Sequence, residues 1–222
     1  MYRGDLSGGK IMKVIGIVCS PRRGGNTEIL VREALVGAKE LGVDTELLTV
    51  AGKDIRFCDS CYACITTGVC RVSDDVQEIL EKLQEANGVI FGTPVYFSSV
   101  SGQAKSIMDR TIALRFKKGK SHLSLKGKAA GAIVVARTGG RSMTKSLLEN
   151  FIMHGMLVVG VVGGLTLAEG GWVDMGKIKK DKGVMKQANQ LGRRIAMVST
   201  QEFKFPEEFE TAVYRTPSAE DV

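Results

Sequence analysis

The chain of 222 residues lacks several features that would each assign it to a class at once. No uninterrupted apolar run approaches the roughly 18 residues of a membrane-spanning helix, which excludes such a span. The longest runs, residues 129–136 and 156–162, have the length of strands. Arg3, Asp5, Lys10 and Lys13 mark the start, and the apolar stretch behind them stops at Ser20-Pro21-Arg22-Arg23 without a small-residue cleavage site. No secretory leader is expected, therefore, and the location expected is the cytoplasm. There is neither a G-x-G-x-x-G fingerprint nor a G-x-x-x-x-G-K-[ST] loop, so dinucleotide and Walker-type sites are both set aside. Histidine is scarce: His122 and His154 have no nucleophile or carboxylate beside them in sequence, and both read as structural. His154 falls in the last turn of a helix, where a cation suits the dipole. Internal repeats and a second domain are also missing.

What remains is an ordinary globular composition, 44% hydrophobic and 25% charged, with enough apolar mass to fold without disulfides. One domain over residues 1–222 is expected, with a core at about 12–198 and an acidic C-terminal arm at 199–222. The net charge is +7, and the excess is local. Arg115, Lys117, Lys118, Lys120, Lys126 and Lys128 crowd one segment without an acid among them. The segment reads as a solvated loop, or as a patch that steers an acidic partner. No nucleic-acid motif accompanies it, so no nucleic-acid partner is expected.

Continuous apolar strands alternate with amphipathic helices. Strands are expected at 13–19, 44–50, 88–92, 129–136 and 156–162. Helices are expected between about 26 and 41, from 73 onward, and at 102–112, 142–154 and 183–198. Asp74 and Gln77 are spaced like a capping box, and Val76, Ile79, Leu80 and Leu83 form the apolar stripe behind it. This pattern predicts an α/β fold with a doubly wound, flavodoxin-like, five-stranded parallel sheet and a cysteine-rich loop after strand two. In that arrangement a ligand lies at the carboxyl ends of the strands, near the point where strand order reverses. The unusual residues fall there: Ser20–Thr27, the cysteines, Thr93–Ser101 and Thr138–Arg141.

Ser20-Pro21-Arg22-Arg23-Gly24-Gly25-Asn26-Thr27 joins a buried strand to a helix. Gly24 and Gly25 allow a tight turn and close approach of a ligand. Asn26 and Thr27 open the helix, whose amides and dipole favour an anion, and Arg22 and Arg23 add charge. A monophosphate end fits this loop. Together with Thr93-Pro94-Val95-Tyr96-Phe97, Ser101-Gly102-Gln103-Ala104-Lys105 and Asp109-Arg110, the loop resembles the NADPH-dependent FMN reductase family over residues 12–198. The resemblance implies FMN, its phosphate held by Ser20, Arg22, Arg23, Gly25, Asn26 and Thr27. It further implies that Thr93, Pro94, Val95, Tyr96 and Phe97 wrap the isoalloxazine ring. Gly139-Gly140-Arg141-Ser142 stands where the family often has Gly-Gly-Gln-Glu.

Cys58, Cys61, Cys64 and Cys70 form C-x2-C-x2-C-x5-C. In a cytoplasmic chain this is no disulfide framework. Zinc usually draws on C-x2-4-C pairs set well apart, whereas a compact run suits an iron–sulfur cluster. An empty or redox-active thiol loop is the third reading. The longer last gap lets the chain swing round, and Gly68 supplies freedom for that turn. Cys19, on a buried strand, reads as a small core residue. Lys105 and Asp109 read as an ion pair one helical turn apart, and Trp172 as a ring packed on the domain surface.

The flavodoxin-like pattern and these cysteines together resemble the iron-sulfur flavoproteins of anaerobic archaea and bacteria. That resemblance implies a [4Fe–4S] cluster on Cys58, Cys61, Cys64 and Cys70 beside FMN. It also implies ferredoxin or a similar electron carrier as donor, a small-molecule acceptor, and a homo-oligomer, either dimer or tetramer. The basic patch suits an acidic ferredoxin.

Overall fold

The structure is a computed structural model and describes residues 12–117, 120–137, 145–165, 175–201 and 203. The segment 138–142, Trp172 and nearly all of the C-terminal arm lie outside the described residues. Strand β1 (Lys13–Val18) leads into helix α1 (Asn26–Lys39), followed by β2 (Asp44–Thr49). The cysteine segment contains a single-turn helix, α2 (Ala63–Thr67), and precedes α3 (Val76–Glu85). Next come β3 (Gly88–Tyr96), the short β4 (Ser99–Val100) and α4 (Gly102–Arg110), which continues as a 3-10 turn over Thr111–Arg115. A two-stranded ribbon, β5 (Phe116–Lys117) and β6 (Lys120–Ser121), precedes β7 (Ala129–Ala136). Helix α5 (Lys145–Met153), β8 (Leu157–Leu165) and α6 (Lys182–Ser199) complete the chain.

Five strands pair in parallel in the order β2-β1-β3-β7-β8, with β4 added antiparallel at the end of β3. This is the flavodoxin-like sheet expected from the sequence. The order reverses between β1 and β3, so the loops leaving these two strands diverge and open a crevice.

Strand periodicity divides the core between two faces. Val14 and Val18 lie with Leu30, Val31 and Ala34 of α1 and Leu191 and Ile195 of α6. Ile15, Ile17 and Cys19 lie on the other face with Ile79 and Leu83 of α3, Ile107 of α4, and Leu147 and Phe151 of α5. Both faces being covered explains why the strands read as unbroken apolar runs. Cys19 is fully buried, as expected of a core residue, and burial pushes its thiol well above the ordinary range. Helices α1 and α6 touch backbone to backbone at Gly37 and Gly192, where a Cβ would overlap the carbonyls of Asn189 and Ala34. Among the described residues no helix is long and apolar enough to cross a membrane.

Three local expectations are corrected. The Asp74–Gln77 capping box does not close. Asp74 Oδ1 accepts from Val76 N at 3.1 Å, but the Gln77 amide turns away to donate to the Cys70 carbonyl at 2.5 Å and that of Val72 at 3.2 Å. The Gln77 side chain thus ties α3 to the end of the cysteine segment instead of closing on the helix start. His154 is structural, as expected, but not the cation that the helix end would suit: it is buried against Thr111 Oγ1 at 2.9 Å, and desolvation, with Arg115 nearby, lowers it to about 4. It is neutral at pH 7. The basic segment is partly structural rather than a solvated loop: Leu125 is a core residue, and Lys128 Nζ donates to the carbonyls of Leu83 and Gln84 at the end of α3. The Lys105–Asp109 pair is present at 2.5 Å.

Candidate functional site

The loop after β1 is built around buried anchors. Ser20 and Thr27 are buried, Gly25 is buried at the N-cap of α1, and Arg22 is exposed. Ser20 Oγ accepts from Arg22 N at 3.3 Å, which curls the chain back on itself. Gly24 adopts φ +65°, the left-handed region that glycine enters without strain, and a Cβ there would meet open space. Asn26 Oδ1 accepts from Gly176 N at 2.9 Å, fixing the helix start to the distant segment before α6. Arg23 reaches across to the Ala51 carbonyl at 3.2 Å, tying this loop to the one that leads into the cysteines. The opening amides of α1 have no intrahelical acceptors, as at any helix start. Their field and the charge of Arg22 suit a terminal phosphate.

Glu28 escaped the sequence reading. Its carboxylate sits in the first turn of α1, accepting from Gly24 N at 2.7 Å and from Arg32 Nε at 2.8 Å. Burial raises its pKa, yet the Gly24 amide and Arg32 outweigh burial and leave it below the ordinary range. Glu28 thus braces the loop as an anion whose charge Arg32 offsets.

At the end of β3 the five expected residues divide by role. Thr93 is fully buried, and its Oγ1 accepts from Ser101 N at 3.1 Å. Ser101 Oγ in turn donates to the Cys19 carbonyl at 2.6 Å and accepts from Ala104 N at 3.2 Å as the N-cap of α4. Thr93 therefore positions the loops after β1 and β3 relative to each other. Pro94 and Val95 are half-buried, and Tyr96 is exposed. Phe97 and Ser98 form the tip of a two-residue hairpin with φ of +44° and +65°, and the Phe97 ring is completely exposed. Non-glycine residues in this region are strained, and such strain concentrates at binding sites.

The four cysteines line one recess, together with Asp59, Tyr62, Arg71, Val72, Arg110 and Ile112. Gly68 caps α2 with φ +76°, as the long last gap requires, and packs on the backbone of Phe116. Ser60 and Tyr62 also take positive φ, at +55° each. Two clasps close the segment. Outside, Arg71 donates to Asp59 at 2.7 Å, joining the neighbours of Cys70 and Cys58, and holds the Asp59 carboxyl down to about 2. Inside, buried Arg110 donates to the Arg56 carbonyl at 3.3 Å, to Asp74 at 2.5 Å and to the Val72 carbonyl at 2.9 Å.

The chemistry of this donor set fits an iron–sulfur group. Burial raises the Cys64 thiol, and the charges of Cys70, Cys58 and Cys61 raise it further, so the four sulfurs sense one another across the recess. Thiolates so placed need a positive centre among them. Among the described residues, no three His, Cys, Asp or Glu side chains gather tightly enough to hold a single ion. The compact C-x2-C-x2-C-x5-C run suits a cluster better than zinc, which usually draws on C-x2-4-C pairs set well apart. Arg110 Nε is buried without a hydrogen-bond partner among the described residues, a donor that an anionic sulfur would satisfy.

Fold and site together define a flavodoxin-like, flavin-dependent oxidoreductase. Comparison with known proteins agrees. The NADPH-dependent FMN reductase family pattern matches residues 12–166. An iron-sulfur flavoprotein of Methanocaldococcus jannaschii is 42% identical over 194 residues, covering 84% of this chain and 97% of its own. One from Methanosarcina thermophila is 37% identical over 152 residues, covering 67% and 78%. A flavodoxin from the Archaea shares the fold, with a TM-score of 0.54 at 17% identity, over 86% of this chain and all of its own. The chain belongs to the NADPH-dependent FMN reductase family and, within it, to the iron-sulfur flavoproteins.

Proposed function

We propose that this protein moves single electrons from an acidic carrier such as a ferredoxin, through a [4Fe–4S] cluster and FMN, to a small-molecule acceptor that takes two. The observation that carries this reading is the shared recess of Cys58, Cys61, Cys64 and Cys70, fastened by the same helix that orders the candidate flavin loops. Ser101, at the N-terminus of α4, binds the base of the Ser20–Thr27 loop, and Arg110, at its C-terminus, clasps the cysteine segment. The nine residues of α4 separate these anchors by about 13 Å.

When bound, a cluster exchanges one electron at a time and a flavin one or two, which together convert between the two kinds of carrier. The protein's own part is positioning. Cys58, Cys61, Cys64 and Cys70 act as ligands. Ser20, Arg22, Arg23, Gly25, Asn26 and Thr27 hold the FMN phosphate. Pro94, Val95, Tyr96 and Phe97 line the ring, and Thr93 sets their place through Ser101. The exposed rings of Phe57, Tyr62 and Phe97, at 75%, 67% and 106% of full exposure, supply apolar surface that a homo-oligomer, dimer or tetramer, would cover. The protein works in the cytoplasm, where such thiols stay reduced.

Anaerobic stopped-flow absorbance tests the donor. Reduced ferredoxin should bleach the flavin faster than NADPH does. The reverse order would instead favour the runner-up reading, an NAD(P)H-dependent FMN or quinone reductase without a cluster.

A further inference from the structure

We infer that Arg110 is a potential-setting residue, its Nε–H donating a hydrogen bond to an anionic sulfur of the group held by the four cysteines. This inference rests on the reading of the cysteines as cluster ligands. The guanidinium is committed on two of its three nitrogens: Nη1 to Asp74 and the Arg56 carbonyl, Nη2 to the Val72 carbonyl. Nε is buried and has no partner among the described residues, while Arg110 itself lines the recess with the cysteines and is 1% exposed. A desolvated N–H on a cation is costly to leave unpaired, and protein sulfur is what the recess offers.

The geometry separates holding the loop from tuning the site. Nη1 and Nη2 grip backbone on both sides of the cysteine run, at Arg56 and Val72, so the loop is held without Nε. Asp74 offsets most of the guanidinium charge locally, so the remaining influence is directional, through the Nε–H bond. Reduction adds one negative charge to the cluster and its thiolates, and an N–H donor to sulfur stabilises that state most. Hydrogen bonds to the sulfurs are an established means of setting cluster potentials. Arg110 therefore raises the midpoint potential.

Two measurements test this, neither relying on turnover. In wild-type protein carrying ¹⁵N-guanidino arginine, pulsed EPR of the reduced cluster should show a ¹⁵N coupling that disappears in Arg110→Lys. In redox titration, Arg110→Lys should lower the cluster midpoint by about 59 mV, a tenfold change in the oxidised-to-reduced ratio at fixed potential. No arginine coupling in the labelled wild type overturns the inference while leaving the cluster assignment intact, and it needs no variant that folds. An unchanged midpoint in Arg110→Lys with a full cluster does the same. Wild-type protein that holds no iron after anaerobic reconstitution overturns the parent reading and this inference together.

Discussion

Asp74 shows how one side chain can serve an element and a site at once. One oxygen accepts from Val76 N at the start of α3, and the other accepts from Arg110, both side chains fully shielded from solvent. Burial raises its pKa, and Arg110 with the Arg56 and Val76 amides more than compensates, so the carboxylate stays ionised. Removing one partner of a buried pair leaves the other charge uncompensated. Asp74→Asn should therefore lose about 3–5 kcal/mol in urea denaturation, with iron retention failing before flavin retention. His154 supplies the pH dependence. Its folded pKa of about 4 lies below the ordinary 6.5, so the unfolded chain takes up the proton first as pH falls. Stability is complete above pH 6.5 and declines toward pH 4 by at most about 3 kcal/mol. His154→Gln should flatten that slope in thermal melts across the same window. At this scale the cysteines were legible because their spacing is local. Arg110 and Asp74 were not, because the pair closes over 36 residues. Each residue stood out singly, Asp74 in a capping-box spacing and Arg110 in the family resemblance, but nothing in the sequence paired them.

Among the elements, the sheet strands declared themselves by unbroken apolar runs, since both of their faces are covered. Strand β3 runs four residues beyond the expected Gly92, to Tyr96, because β4 folds back on its end and supplies pairing that composition does not announce. Helix α2 was missed for a plain reason: none of its five residues is buried, so no periodic stripe marks it. The α1–α6 contact was equally silent, resting on the absence of side chains at Gly37 and Gly192. Gly192→Val forces a side chain into the Ala34 carbonyl and should cost about 3 kcal/mol in denaturant titration. A loss below about 0.5 kcal/mol would mean that the helices do not approach as closely as described.

Across the whole molecule, the reversal of strand order between β1 and β3 gathers the anion loop and the strained Phe97 hairpin at the carboxyl ends of the strands, and α4 links them to the cysteine recess. That convergence was legible because each unusual motif directly follows a strand. Side-chain clasps such as Arg23 to Ala51 were not, since they depend on how the loops fold back. The basic ribbon β5–β6 packs against α2 of the cysteine segment, through Phe116 and Gly68, so an acidic carrier drawn to it would meet the recess. The rate of reduction by ferredoxin should fall on the order of tenfold as ionic strength rises from 0.01 to 0.15 M, as expected for steered encounter. A salt-independent rate would place the encounter elsewhere.

Iron, acid-labile sulfide and flavin analysis of protein purified under nitrogen, for the wild type and Cys61→Ala side by side, tests the cofactor assignment most directly. The wild type should hold about four irons, four sulfides and one FMN per chain, while Cys61→Ala should lose the iron and sulfide and keep the flavin. Normal iron and sulfide in Cys61→Ala, or a colourless wild type after reconstitution, would contradict it.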